Sequence, residues 1–233
     1  MLYYNKVKTY KEKQNEKVQK IEKFFGKNIV DIAKECNFPE YSILVLKDDE
    51  RGLHQCYPKV YNNILSCSYA ADMRTPMEYA KDLVLAWVFE AYVMENLKKC
   101  GLDVKRNGGD KDLMILNQKG VNTDSDFLVN GKRVELISNY TNYWQRNGCF
   151  EMRDSKIYHL EDTNSLVIGV STNYDKYLLI DFSKYIPSEY IESYEPFGGK
   201  PAHRITITKE MCVDLDFKKL ADAFKDKIKV NYK

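Results

Sequence analysis

The chain lacks long apolar runs and has almost no net charge. Its hydrophobic stretches fall far short of the roughly 20 residues that a helix needs to cross a bilayer. The first residues, MLYYNKVKTYKEKQ, contain no apolar segment of the kind found in signal peptides. We therefore expect a cytoplasmic protein with no membrane partner. The formal net charge of +2 gives no sign of a nucleic-acid partner. A local basic patch would nevertheless be enough to bind phosphates.

Several common functional signatures are also missing. The six cysteines are scattered without a Cys-x-x-Cys pair, so neither a disulfide framework nor a common zinc module is predicted. There is no Walker loop, no dinucleotide fingerprint, no His-Glu-x-x-His and no Gly-x-Ser-x-Gly. These absences argue against the common NTPase, dehydrogenase, zincin and serine hydrolase classes, and we expect no nucleotide cofactor.

The length of 233 residues, with 44% hydrophobic and 30% charged residues, is typical of a globular protein with one substantial core. We predict a mostly helical N-terminal elaboration over residues 1–74 and a main domain over residues 75–233. Within the elaboration, residues 5–25 carry a helical stripe. Residues 28–50 faintly resemble a helix-turn-helix, although the turn around Asn37 to Glu40 contains Pro39 and has no glycine, and residues 50–74 give no clear pattern.

The strongest helix signal begins at Thr75. The run Thr-Pro-Met-Glu supplies an N-cap, a proline at the first helical position and a capping-box glutamate at Glu78. Apolar residues then recur at helical spacing, and Lys98, Lys99 and Gly101 indicate the end. Glu90 falls inside the apolar stripe, where a glutamate is rarely left without a partner.

Short strand-like runs follow this helix. They are LDVKR, DLMIL, SDFLV and KRVELIS, followed by a helix at RDSKIYHLED and strands at SLVIGVST and KYLLIDF. The helix makes a crossover between KRVELIS and SLVIGVST, which can therefore lie parallel in one sheet. We predict an α/β (α+β) fold in which helices flank a central mixed β-sheet.

One hairpin places two carboxylates together. Asn130-Gly131 between SDFLV and KRVELIS is a strong signal for a two-residue type I′ turn. Counting outwards from this turn sets Asp126 opposite Glu135 on the same side of the sheet. Like charges in this position repel, so the pair is understandable if a cation lies between them. Mg²⁺ prefers carboxylate, water and phosphate oxygens, and such an ion could polarise a phosphodiester.

The hairpin and the order of elements resemble the PD-(D/E)XK nuclease superfamily. That family has a restriction-endonuclease-like core of helix, three-stranded meander, helix and strand, with an aspartate on one strand and Glu-x-Lys on the next. Ser125-Asp126 and Glu135-Leu136-Ile137 resemble these elements, and the likeness covers residues 76–182. It implies a metal-dependent endodeoxyribonuclease that uses Mg²⁺, for which Mn²⁺ can substitute. Asp126, Glu135 and the Leu136 carbonyl would hold the metal, and Glu90 would assist from the first core helix.

The motif lysine is absent, because Ile137 occupies its position. In this family the charge can come from the following helix instead, and Lys156, Arg153 and Arg146 are the candidates. We expect Lys156 to supply it and to be catalytic. The alternative is a catalytically inactive nuclease fold that binds DNA or a protein partner. A further alternative is that Asp126 and Glu135 form a coincidental surface pair.

Double-stranded DNA is the partner that the resemblance implies, with a homodimer of the kind that type II restriction enzymes form on palindromic sites. Residues 1–74 would then serve dimerisation or DNA contact. Residues 197–204 are interpreted as a flexible loop that could close over DNA, or as a turn that leads into a strand at residues 204–208. The expected DNA contacts are Arg133, Asn139, Tyr143, Arg146, Arg153, Lys200 and Arg204. A structure-selective nuclease for repair, recombination or phage DNA processing fits the same core.

Overall fold

The structure is a computed structural model that describes residues 8–66, 74–107 and 125–230. Within these ranges the chain is mixed α/β, with nine helices and a mixed central sheet. This agrees with the predicted class of fold. The predicted strand at residues 112–116 lies outside these ranges. The described residues form two compact units, one of residues 8–66 and 74–93 and one of residues 94–107 and 125–230. The expected division of roles at residue 74 stays a prediction.

The first unit is helical. Its helices are α1 (Tyr10–Phe25), α2 (Ile29–Glu35), α3 (Glu40–Leu46), α4 (Glu50–Cys56), α5 (Pro58–Ser66) and most of α6 (Pro76–Lys99). Helix α1 begins with a capping box between Thr9 and Glu12 and ends at Gly26 in the left-handed conformation. It occupies most of the segment that was predicted to be helical. Two further helices, α4 and α5, form where the sequence has no clear pattern.

The turn between α2 and α3 explains the weak helix-turn-helix signal. Asn37 takes the left-handed conformation, with φ of 58°, in place of the glycine that such turns usually have. Four of the seven residues of α3 are buried, namely Ser42, Ile43, Val45 and Leu46. Helix α3 therefore contributes one face to the core of this unit.

Helix α6 begins and ends as predicted. Thr75 and Glu78 exchange the two hydrogen bonds of a capping box, and Gly101 beyond the last turn has φ of 83°. The buried surface of the helix is wider than the predicted stripe, because Val84, Leu85 and Val88 are fully buried beside Trp87. In the described part of the chain, no helix is long and apolar enough to cross a membrane.

The second unit contains two sheets. Its strands are β1 (Val104–Arg106), β2 (Phe127–Val129), β3 (Lys132–Asn139), β4 (Cys149–Arg153), β5 (Leu166–Ser171), β6 (Lys176–Asp181), β7 (Ser188–Tyr194), β8 (Lys200–Thr206) and β9 (Cys212–Asp214). The six-stranded sheet has the order β1-β2-β3-β5-β6-β9, and the three-stranded sheet has the order β4-β8-β7. The helices of this unit are the end of α6, α7 (Tyr143–Asn147), α8 (Asp154–Asp162) and α9 (Phe217–Val230).

Strand β5 lies at the centre of the larger sheet. It pairs parallel with β3 and antiparallel with β6, and all six of its residues are buried. Leu178 and Ile180 of β6 belong to an apolar cluster with Ile157 and Leu160 of α8. On the other side of β6, Tyr177 packs against Phe217 of α9. Helices thus cover both faces of the sheet, which explains why β5 is apolar throughout.

The crossover from β3 to β5 is more elaborate than predicted. The parallel pairing and helix α8 are confirmed, but α7 and β4 come between β3 and α8. Strand β4 pairs with β8, so the interpretation of residues 197–204 as a flexible loop is wrong. Only Gly198 and Gly199 form a turn there, and Lys200 and Arg204 lie in β8, where backbone pairing with β4 and β7 holds them.

Candidate functional site

The hairpin between β2 and β3 forms as the sequence predicts. Asn130 and Gly131 have φ of 48° and 78°, the positive values that a type I′ turn requires. The register is also confirmed, because Val129 faces Lys132 and Phe127 faces Val134. Backbone and side-chain hydrogen bonds between Asp103 and Asn130 fix the turn against the chain before β1.

Asp126 comes one residue before β2 and reaches across to β3. Its Oδ2 accepts a hydrogen bond of 2.8 Å from the backbone N–H of Leu136, the neighbour of Glu135. Its own carbonyl accepts a bond of 2.8 Å from the N–H of Asn107. Because both ends of the residue are bonded, the side chain is held beside Glu135, as the predicted register requires.

The environment of Asp126 destabilises its charged form. Burial, followed by the negative charge of Glu135, raises the pKa of Asp126 to about 7, against the opposing effects of the Leu136 N–H and the Lys156 charge. Glu135 is only 8% exposed, and its Oε2 is a buried oxygen with no hydrogen-bond partner in the described structure. Such an oxygen carries a desolvation cost that a bound cation or donor would remove.

Lys156 brings a positive charge to this pair. It lies in the first turn of α8, and its Nζ is 2.7 Å from Glu135 Oε1. The lysine side chain is 32% exposed. The structure thus brings Lys156 to Glu135, and the catalytic role expected for this lysine stays a prediction.

The other predicted catalytic residue, Glu90, lies in the first unit. It is partly buried on α6, beside the buried Phe89. Its role in catalysis stays a prediction.

The other expected DNA contacts have different environments. Arg146 and Arg153 are exposed, and the Arg153 guanidinium lies 5.4 Å from the ring centre of Phe197. Asn139 Oδ1 accepts hydrogen bonds from the backbone and side chain of Thr141. Lys200 is exposed on β8, and Arg133 is partly buried on β3. Their contacts with DNA stay predictions.

Arg204 and Tyr143 meet at a carboxylate that the sequence did not single out. Glu151 on β4 lies directly opposite Arg204 on β8, and Arg204 in turn lies opposite Glu189 on β7. The guanidinium is 3.4 Å from Glu151 and 3.1 Å from Glu189. Glu151 also accepts a hydrogen bond from the Tyr143 hydroxyl. The charge of Arg204 is therefore largely used within the smaller sheet.

Another connection that sequence reasoning missed positions α8. His203 on β8 contacts Asp154, the first residue of α8, through Nε2 at 2.9 Å and contacts Ser188 through Nδ1 at 3.2 Å. Serine hydrolases use the same residue types, but their carboxylate binds Nδ1 and their serine binds Nε2. Here the order is reversed and Ser188 is exposed, so we interpret the contact as a tie that holds the start of α8, two residues before Lys156.

The carboxylate pair is small for a metal centre made only of protein ligands. In the described parts of the chain, no group of three or more His, Cys, Asp and Glu side chains could hold a metal ion. Mg²⁺ commonly uses only one or two carboxylates and completes its octahedron with water and substrate phosphate. The donor set of Asp126 and Glu135 fits that ion.

The chemistry of Asp126, Glu135 and Lys156 is the main evidence for the function of this chain. No protein-family model matches the chain, and no curated protein matches it in sequence.

Proposed function

We propose that this chain is a Mg²⁺-dependent DNA endonuclease with a restriction-endonuclease-like core. The observation that carries the proposal is the ion pair between Lys156 and Glu135, with Nζ and Oε1 2.7 Å apart. The motif that the hairpin resembles requires a lysine near its glutamate, and Ile137 cannot serve. Helix α8 brings a lysine to that glutamate from a different position in the chain.

The order of elements supports the same proposal. Helix α6 is followed by β1, β2 and β3, which pair antiparallel in sequence, and then by α8 and by β5, parallel to β3. This is the helix, meander, helix and strand order of the PD-(D/E)XK core, with α7 and β4 inserted before the second helix.

Asp126 and Glu135 are the residues that would hold the metal, together with the Leu136 carbonyl. The buried Glu135 Oε2 without a partner and the raised pKa of Asp126 both indicate a site that gains from a cation. When bound, Mg²⁺ would supply Lewis-acid polarisation of the phosphodiester and stabilise the leaving oxygen.

The protein residues have separate tasks in this proposal. Leu136 N–H keeps Asp126 in position through its 2.8 Å hydrogen bond. Lys156 uses one N–H on Glu135 and keeps two further donors, which can orient the attacking water or hold a phosphate oxygen. As a positive charge beside the scissile phosphate, it would also stabilise the negative charge that develops in the transition state.

The test is cleavage of long double-stranded DNA in the presence of Mg²⁺. The wild type is compared with Asp126→Ala/Glu135→Ala and with Asp162→Ala/Glu192→Ala, a control that removes two exposed carboxylates of the same unit. We expect the wild type and the control to cut and the first variant to leave the DNA intact. Mn²⁺ is expected to replace Mg²⁺, and EDTA to stop the reaction.

The products distinguish the forms of the proposal. Discrete fragments indicate restriction-like cleavage at a defined sequence, for which a homodimer is expected by sedimentation equilibrium. Cleavage that is confined to branched or single-stranded DNA indicates a processing nuclease. DNA binding without cleavage by any of the proteins, in either metal, would overturn the proposed activity and favour an inactive nuclease fold.

A further inference from the structure

An open cavity lies at the end of β3 in the second unit. It has a volume of about 430 Å³, and Ile137, Ser138 and Asn139 at the end of β3 form one side of it. This volume is within the range of roughly 300–1,000 Å³ that small-molecule sites occupy. Ile137 is two residues after Glu135, so both project from the same face of the strand, with Cα atoms about 7 Å apart.

Aromatic side chains form most of the remaining wall of this cavity. The five rings are Tyr143, Trp144, Phe150, Tyr194 and Phe197. Trp144 and Phe150 are buried in the apolar cluster of the unit and form a rigid part of the wall. Tyr143, Tyr194 and Phe197 are only partly buried, so part of each ring remains accessible. Several rings around a space of this size form a surface that favours a flat ligand.

Two polar groups in the cavity can form hydrogen bonds with the edge of such a ligand. Glu151 lines it and offers carboxylate oxygens as hydrogen-bond acceptors. Asn139 also lines it and uses Oδ1 for Thr141, so its amide N–H groups are the donors that it can offer. An acceptor and a donor between aromatic walls match the edge of a nucleobase, which carries donors and acceptors in its own plane.

We propose that this cavity binds one unstacked nucleobase of the nucleic-acid substrate. The proposal rests on the proposed nuclease function and specifies how that substrate is held. A base that leaves the stack would insert between the rings, with its edge on Glu151 and Asn139. The phosphate next to it would then lie near Glu135, because the cavity begins two residues further along the same strand.

A methylated ammonium group is the competing ligand for an aromatic cavity of this kind. Such a cation is bound by rings and by a carboxylate whose charge is not neutralised. Glu151 already carries the Arg204 guanidinium at 3.4 Å and the Tyr143 hydroxyl. Both contacts are to Oε1, so the charge of Glu151 is partly compensated, and competition between nucleotides and tetramethylammonium decides between a base and a cation.

The first experiment measures mononucleotide binding by the full chain. Trp144 lines the cavity, so its emission reports on a ring that stacks nearby; a Trp144→Phe variant provides the background from Trp87. We expect the four deoxynucleoside monophosphates to change this emission, and isothermal titration to give the same affinity. Deoxyribose 5-phosphate and tetramethylammonium should do neither. Binding of tetramethylammonium in competition with the nucleotides, or equal binding of the sugar phosphate, would overturn the proposal.

Phe197→Ala identifies the cavity as the binding site. Loss of one aromatic stacking partner should weaken mononucleotide binding by roughly 5- to 100-fold. The matched control is Tyr185→Ala, which removes an aromatic ring that is 89% exposed. Should Phe197→Ala fail to fold by circular dichroism, Asn139→Ala addresses the same cavity from β3. An unchanged affinity in the folded variant overturns the proposal.

Cleavage of long DNA separates this inference from the proposed function. If the wild type cuts DNA and Phe197→Ala raises KM several-fold, the nuclease function and the nucleobase site are both supported. If the wild type cuts DNA but mononucleotides do not bind, and Phe197→Ala cuts equally well, the base site is wrong and the nuclease stands. If nucleotides bind the cavity and no DNA is cut, the nuclease is wrong and the base site stands.

Discussion

Lys156 and Glu135 form an ion pair of 2.7 Å that joins the first turn of α8 to β3. The two residues are 21 positions apart in the chain, and the crossover between β3 and β5 brings them together. The side chain of Glu135 is largely buried, so solvent screens this pair less than it would screen an exposed ion pair. The contact connects the carboxylate pair to a lysine, the residue type that β3 lacks at position 137.

The role of Lys156 can be tested by moving the charge. Lys156→Met should lower kcat for DNA cleavage by roughly 100- to 10,000-fold, the range that a positioned acid–base group contributes. Ile137→Lys in the same protein should restore part of the rate, because residue 137 projects from the same face of β3 as Glu135. Initial rates at saturating DNA measure both effects.

The control for this series is Lys209→Met, which removes an exposed lysine of the same unit and should leave the rate unchanged. Activity of Lys156→Met at the wild-type level would show that the ion pair is only structural.

Asp126→Asn should make the metal-free protein more stable. The asparagine keeps an oxygen for the Leu136 N–H but removes the repulsion with Glu135, so we expect a gain on the order of a few kcal/mol in the free energy of unfolding at pH 8. The pKa of Asp126 is raised in the folded state from 3.8 to about 7. The wild type therefore loses free energy of unfolding as the Asp126 carboxyl ionises between pH 4 and pH 7. At pH 4 this carboxyl is protonated in the folded state, so the advantage of Asp126→Asn should nearly vanish there.

Urea unfolding in EDTA at the two pH values measures this difference. Added Mg²⁺ should raise the Tm of the wild type and leave that of Asp126→Asn unchanged. An equal response of both proteins to Mg²⁺ would contradict the assignment of Asp126 as a ligand.

Asp82 should stabilise the first unit in a pH-dependent way. Burial alone would raise its pKa, but hydrogen bonds from Tyr10 and Gln14 and the charge of Lys17 outweigh this effect and hold the pKa below 3.8. We expect Asp82→Asn to cost about 1–2 kcal/mol at pH 7. Since the folded pKa is depressed, the contribution is present above pH 4 and is lost as pH falls further.

Chemical unfolding of the variant between pH 3 and pH 7 checks the Asp82 contribution. Glu35→Gln is the comparison, because it breaks an exposed ion pair with Lys27 and should change stability by less than about 1 kcal/mol. A difference between wild type and Asp82→Asn that does not shrink at pH 3 would contradict the assigned role.

Gly169 on β5 should tolerate no side chain. A Cβ at this position would lie 2.8 Å from Leu178 Cβ on the neighbouring strand, a distance that requires the backbone to shift. Gly169→Ala should therefore lower the free energy of unfolding by about 1–3 kcal/mol. In a double-mutant cycle with Leu178→Ala, the cost of the added methyl group should fall clearly. Additive effects would show that Leu178 is not the obstacle.

Local signals in the sequence determined several elements of this protein. The capping box at Thr75 and Glu78, the Asn130-Gly131 turn and the alternation along β3 each act between residues close in the chain. Hydrogen bonds and backbone preferences within one turn decide such elements, so they can be predicted without the rest of the fold. The same reasoning led to Asp126 and Glu135 as neighbours, because register follows from the turn.

Only the tertiary structure decided which distant residues meet. Strand β4 forms because Phe150 and Met152 are buried and pair with β8, about 50 residues later in the chain. Residues 200–204, interpreted as part of a loop, became a strand for the same reason. Long-range pairing of this kind depends on which surfaces remain to be buried once the larger sheet has formed, and a local pattern does not contain that information.

The sequence by itself thus determined the hairpin and its two opposed carboxylates, since these depend on a two-residue turn and a period of two. Tertiary structure alone decided that Lys156 reaches Glu135 and that five rings from α7, β4 and the region around β7 surround a cavity at the end of β3. The physical reason is the distance along the chain over which each kind of interaction acts. Backbone geometry acts over a few residues, whereas burial and ion pairing select contacts across the whole unit.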